Sequence, residues 1–280
     1  MAKDNFRIGV VAPACTVRAD VPKAVRAVAA ALYPDRTPEI HFHPQCFLSE
    51  GHFAGADAVR AEALVEIAND PAFDAVWFGR GGYGSCRIAE AVLERLDDTA
   101  RAKAWLGYSD EGTLLAALYG RGFSKVAHGP MAQDVVREGG AAAAERALRW
   151  LVERAPAALE PSVGEAPTAA FNIAILGQLI GTPLQPDLTG HVLMLEEVSE
   201  YMYRIDRYLF QITSNPAMRK VAGIRLGRCS LVPDNDPDFG RTAEEVIRDW
   251  CARSGIPYLG PADIGHDADN KVVPFGRWRG

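Results

Sequence analysis

The sequence predicts an α/β protein in two parts: a parallel sheet with helices on both faces, then a smaller mixed α/β unit. Three observations predict it. Short apolar, β-branched runs alternate with helical stretches through the first half, joined by short links, which is the pattern of strand–helix–strand units. At 280 residues the chain is near the size where one core gives way to two. Near Ala155 the composition shifts to APAALEPSVGEAPTAA, rich in Pro and Ala and without a regular period. The expected division is 1–155 for the first domain, 156–170 for a linker and 171–280 for the second domain.

Each element follows from local pattern. Phe6–Ala12 is an apolar run of the kind that forms a buried parallel strand. Val21–Tyr33 reads as an Ala-rich helix, Glu39–His43 as a short strand and Ala56–Ala68 as a helix with Asp70 and Pro71 beyond its end. Asp74–Phe78, Ala104–Leu106 and Lys125–Ala127 continue the strands, and Cys86–Leu96, Thr113–Tyr119 and Ala141–Glu153 the helices. In the second part, His191–Leu195 is a strand ending in acids. Val221–Leu226 and Cys229–Val232 read as two short strands, with helices at Arg204–Ser214 and Thr242–Arg253. Pro257–Tyr258 and Val272–Val273 are short extended pieces.

Composition narrows the function. Hydrophobic residues make up 48% and charged residues 24% of the chain, which excludes disorder as its main state. The net charge of -6 comes without a basic block, so neither nucleic acid nor an anionic membrane has an electrostatic footprint here. No apolar run is long enough to span a bilayer, and the start lacks the pattern of an export signal. Cys15, Cys46, Cys86, Cys229 and Cys251 are scattered, odd in number and form no CxxC pair. Reduced thiols in a cytoplasmic protein, with no metal site, are the simplest expectation.

Four segments carry candidate chemistry. The first is GRGGYGS at Gly79–Ser85, between a strand and a helix. Its glycines let a ligand approach the backbone and turn N–H groups outward, and Arg80 offers a forked cation for a carboxylate. Gly79, Gly81 and Gly84 also match GxGxxG, a dinucleotide fingerprint, but at the third strand and with only Asp97, Asp98 or Asp110 as the expected acid. A tight turn that needs glycine for packing is the plainer reading.

The second segment is WLGYSDEG, where Ser109 sits at a strand-to-helix passage with Gly107 two residues before it. This partly matches the nucleophile elbow GxSxG, with Glu111 at the second glycine position. The next N–H, that of Asp110, would lie beside the hydroxyl as an oxyanion donor. Alternatively Ser109 and Asp110 only cap the helix. The third segment, HVLMLEEVSE, leaves Glu196, Glu197 and Glu200 in competition as acids at the carboxyl end of a strand. The fourth, LGPADIGHDADNKVVPFG, holds His266 in a loop. Imidazole is the base a serine needs near neutral pH, and a carboxylate would orient it, in the chain order Ser, Glu, His. His41 and His43 share a strand face without a third ligand nearby, and His128 is expected in a pocket wall.

Taken in order, RIGVVAPAC, GHFAGADAVRAEAL, RGGYGSCRI, GYSD, HGPM, LIGTPLQPDL, LEEVSEYMYRIDR and the final GH with VPFG span nearly the whole chain. This set resembles the LD-carboxypeptidase family of serine peptidases, which includes the muramoyltetrapeptide carboxypeptidases and the microcin C self-immunity proteins. The resemblance implies a flavodoxin-like N-terminal domain, a smaller C-terminal domain and a site between them, in a homodimer without cofactor or metal. It implies Ser109 as nucleophile, Glu196 as triad acid and His266 as base, with an oxyanion hole from Asp110 and the Gly81–Gly82 stretch. Arg80 or the glycine-loop amides would hold the substrate carboxylate.

Two departures concern the pocket wall. Ala170, Phe171 and Asn172 stand where the family often has GGN, and Glu111 and Gly112 where a β-branched pair is common. The expected reaction is release of terminal D-alanine from recycled murein tetrapeptides in the cytoplasm. The rival readings are an immunity-type peptidase that cleaves a peptidyl-nucleotide amide and a non-catalytic nucleotide-binding module.

Overall fold

The structure, a computed structural model, describes residues 6–278. Its first sheet comprises β1 (Arg7–Val11), β2 (Glu39–Phe42), β3 (Ala75–Phe78), β4 (Ala104–Gly107) and β5 (Val126–His128), all parallel to their neighbours. Their order is β2-β1-β3-β4-β5, the flavodoxin-like arrangement. The short strand β10 (Val273–Pro274) returns from the far end of the chain and pairs antiparallel with β5.

Alternation along each strand assigns the two faces. Ile8, Val10, Ala75, Trp77, Ala104, Leu106 and Ala127 face α1 (Val21–Leu32) and α6 (Gly140–Glu153) in one core. Val11, Val76, Phe78, Trp105 and Val126 face α2 (Asp57–Asn69), α3 (Ser85–Leu93) and α5 (Gly112–Gly120) in the other. Between α3 and β4 lies the short α4 (Asp98–Ala102), capped by the Asp97 carboxylate.

The second sheet is wholly parallel, in the order β6 (Thr168–Asn172), β7 (Val192–Val198), β8 (Gly223–Ser230), β9 (Tyr258–Pro261). Helices α7 (Ile173–Leu179), α8 (Met202–Ser214) and α9 (Ala243–Ser254) accompany it. Phe171, Leu193, Leu195, Ile205 and Leu209 join the core that already covers one face of the first sheet. Helix α5 sits within this shared core, buried from Gly112 to Leu118, as an all-apolar helix must be. The two sheets therefore meet through one hydrophobic layer, and the carboxyl ends of β4 and β7 come together.

Three local differences from the sequence reading have physical causes. Helix α4 and the pair β6–α7 were not anticipated. β6 is TAAFN, buried at every position, so it shows no polar–apolar alternation. The two short strands expected at Val221–Leu226 and Cys229–Val232 are one strand, β8, interrupted by a bulge.

Candidate active site

Ser109 follows β4 and begins a single 3-10 turn, Ser109–Glu111. Its φ is +60°, a left-handed conformation that serine rarely adopts. A sharp, strained turn of this kind lifts a hydroxyl above the end of a parallel sheet. Gly81 lies opposite: a Cβ there would stand 3.2 Å from Ser109 Oγ and 3.1 Å from its Cβ. Glycine at this point lets loop backbone pass against the hydroxyl. Gly82 has φ +122° and packs on Cys15.

Glu196 lies in β7 with its side chain fully buried. Opposite it the pairing runs from Leu195↔Leu226 to Glu197↔Cys229, so β8 carries an extra residue. Gly227 sits in that bulge, where a Cβ would meet Glu196 Cβ at 2.9 Å. The bulge and its glycine make room for the carboxyl group.

His266 comes from the loop after β9. Its Nε2 is 2.9 Å from Ser109 Oγ, and its Nδ1 is 2.6 Å from Glu196 Oε2. The imidazole packs on the Tyr108 ring, with centroids 4.8 Å apart. Burial works to lower the His266 pKa, but the Glu196 carboxylate outweighs it, with help from Asp134 and Glu197, and the net shift is upward. A serine hydroxyl, an imidazole and a buried carboxylate thus form one continuous chain, the arrangement that activates an alcohol for acyl transfer.

The other candidate acids lie apart from this chain. Glu197 points to the opposite side of β7, where it accepts from Asn172 Nδ2, the Ala174 N–H and the Val198 N–H. Burial pushes its carboxyl up to about 7. Glu200 binds its own loop, accepting from the Tyr201 N–H and Arg204. Arg80 is exposed and gives Nη1 to the Thr16 carbonyl. The Asp110 carboxylate accepts the Ser85 N–H at 2.8 Å, so the first amide of α3 is already taken. A dinucleotide phosphate would need that amide. His43 pairs with Glu66 at 3.0 Å and His41 packs on Phe73.

Sequence reasoning overlooked two supports. Asp134 is buried and accepts from the Tyr108 hydroxyl and the Met131 N–H while pairing with Arg137. Asn270 is fully buried and receives both His128 and the Gly265 N–H, one residue before His266. Neither has a sequence signal beyond a polar residue near an apolar run.

Fold and site together define a serine hydrolase-type α/β protein with a Ser–His–Glu constellation at the meeting of two parallel sheets. The chain belongs to the LD-carboxypeptidase family: residues 8–129 match the model of the LD-carboxypeptidase N-terminal domain, and residues 165–279 that of the C-terminal domain. A relative from Synechocystis is 32% identical over 234 residues, covering 81% of this chain and 75% of its own. The murein tetrapeptide carboxypeptidase of Pseudomonas aeruginosa is 25% identical over 97% of this chain and 91% of its own. Among solved structures, the muramoyltetrapeptide carboxypeptidase of Oxalobacter formigenes superposes with a TM-score of 0.77 at 26% identity, covering 96% of this chain and 93% of that one. The microcin C7 self-immunity protein MccF shares the fold, with a TM-score of 0.78 at 18% identity over 98% of this chain and 92% of its own.

Proposed function

We propose that this carboxypeptidase removes the terminal D-alanine from murein tetrapeptides, acting in the cytoplasm on recycled fragments. The observation that carries the mechanism is the unbroken chain from Ser109 Oγ through His266 to Glu196. His266 Nε2 takes the Ser109 proton as Oγ attacks the carbonyl carbon of the L–D amide. The Asp110 N–H and an amide of the Gly81–Gly82 stretch receive the oxyanion; one such donor is typically worth ~3 kcal/mol. His266 then protonates the leaving amine, and free D-alanine departs. Water gives its proton to His266, attacks the acyl carbon and restores Ser109, leaving a peptide with a new carboxylate. Glu196 holds the imidazole and stabilises its charged form throughout.

An exopeptidase must hold a free terminal carboxylate. Arg80 and the glycine-loop amides are the groups suited to it. The kinship with the P. aeruginosa and O. formigenes enzymes supports the murein substrate. Among the described residues no helix is long and apolar enough to cross a membrane. The homodimer rests on the family resemblance, and the cytoplasmic location on scattered cysteines expected to stay reduced.

The deciding assay is D-alanine release from murein tetrapeptide by the parent protein and by Ser109→Ala. Release by the parent and none by a folded Ser109→Ala is the expected result. Full activity in the variant would remove the serine mechanism. The shared fold with MccF favours a second reading, cleavage of a peptidyl-nucleotide amide. Preference for such a compound over tetrapeptide in the same assay would replace the first reading with it.

A further inference from the structure

Beneath the Ser109 turn lies a pair of buried carboxyls that the hydrolytic steps do not use. Asp110 is 2% and Glu111 0% exposed. Both converge on Ser85, the residue where the glycine loop ends and α3 begins. Asp110 Oδ2 accepts the Ser85 N–H at 2.8 Å. Glu111 Oε2 lies 2.5 Å from Ser85 Oγ. The outer oxygens, Asp110 Oδ1 and Glu111 Oε1, have no hydrogen-bond partner among the described residues.

Two adjacent carboxyls shielded from water do not both ionise. Burial drives the Glu111 carboxyl well above its ordinary value, and the Asp110 charge adds to this; Ser85 and Arg60 oppose it only in part. Burial also raises Asp110, but the Ser85 N–H and side chain favour its charged form. The Ser85 hydroxyl donates to Glu111 Oε2. The charged and titratable neighbours are Arg60 of α2, engaged with Asp57 and the carbonyls of Gly55, Pro13 and Gly84, and His52 of the preceding loop. Toward β6 and α7, a Cβ at Gly112 would meet the apolar Phe171 and Ile175.

We propose that Glu111 is a positioning residue: through Ser85 it clamps the glycine loop to the Ser109 turn and sets the gap between the Gly81–Gly82 amides and Ser109 Oγ. The proposal rests on Ser109 being the nucleophile. That gap matters most when negative charge develops on the substrate oxygen, so a loosened clamp lowers kcat and leaves KM nearly unchanged.

Three variants test it. Glu111→Gln keeps an acceptor for the Ser85 hydroxyl, Glu111→Ile removes it, and Ser85→Ala deletes the hydroxyl alone. Glu111→Gln is expected to keep kcat within about threefold, while Glu111→Ile and Ser85→Ala lose about tenfold or more with KM changed less than about twofold. The double variant Ser85→Ala/Glu111→Ile should be no slower than the slower single one. Covalent labelling of Ser109 by a fluorophosphonate gives a second rate, independent of the choice of peptide, and should follow kcat. If Glu111→Ile does not fold, Ser85→Ala decides alone. Parent-like labelling in Ser85→Ala, or a fall in Glu111→Gln as deep as in Glu111→Ile, overturns the clamp. A parent protein whose Ser109 takes no label would instead overturn Ser109 as nucleophile, and the clamp with it.

Discussion

His128 and Asn270, 142 residues apart in sequence, are joined by a 3.0 Å hydrogen bond between Nε2 and Oδ1. The same Oδ1 accepts the Gly265 N–H at 3.2 Å. One buried amide oxygen thus fastens the loop that carries His266 to the end of β5. Burial pushes the His128 pKa down to about 4, so its ring stays neutral at ordinary pH and Nε2–H is the donor.

Removing that acceptor strands two buried donors. Asn270→Ala should lower stability by about 1–3 kcal/mol, the cost of leaving buried polar groups unpaired. Activity should fall further than the loss of folded protein explains, because His266 loses its anchor. Urea unfolding and kcat on the folded fraction measure the two effects. A variant with parent stability and rate would strip the contact of importance.

Glu196 and Glu197 are neighbours in sequence with opposite surroundings. Glu196→Gln should cut kcat by a factor on the order of 10²–10⁴ while leaving the fold intact, as loss of an orienting carboxylate does in other triads. Glu197→Gln should act on stability instead, since Glu197 accepts three hydrogen bonds at the β6–β7 edge. Glu200→Gln should leave kcat near that of the parent. A large kcat loss confined to Glu200→Gln would reassign the acid.

The rate should depend on pH through His266, whose neutral form is the base. Its pKa is raised in the fold, with burial opposed and outweighed by Glu196. Activity is therefore lost as pH falls, with a midpoint above the ordinary imidazole value of 6.5. In Glu196→Gln the raising charge is gone while burial remains, so the residual activity should persist to lower pH. An acid limb that did not move would show that another group sets it.

The glycines of the loop separate two kinds of damage. Gly81→Ala places a methyl 3.2 Å from both Ser109 Oγ and Met131 Cε, so it should depress turnover sharply with little effect on unfolding. Gly82→Ala forces a side chain into φ +122° and against Cys15. It should lower the melting temperature as well as the rate. Equal melting losses in the two variants would contradict the distinction.

The sequence displayed the site more clearly than the fold's joinery. The elbow pattern alone left Ser109 open between nucleophile and helix cap, because Glu111 stands at the second glycine position of GxSxG; the ordered motifs of the family resemblance chose the nucleophile. His266 alone read as one more loop histidine, and the resemblance made it the base. The strand pattern left Glu196, Glu197 and Glu200 in competition and only the family resemblance chose Glu196, because the bulge at Gly227 depends on a neighbouring strand that the acids themselves do not encode. β6 stayed hidden because a strand buried on both faces loses its alternation, and TAAFN carries little hydrophobic weight. The Glu111–Ser85 contact was equally silent: a charged residue just before an apolar helix reads as part of its start until its partner, 26 residues upstream, is known.

Ser109 belongs to the first sheet, while Glu196 and His266 arrive with the second. On the ribosome this sets a schedule. The hydroxyl is synthesised more than 150 residues ahead of the imidazole that activates it. The β10 segment that locks against β5 comes later still. A nascent chain therefore carries an inert alcohol for most of its synthesis. The hydroxyl meets its imidazole only once the His266 loop has been made and packed against Ser109.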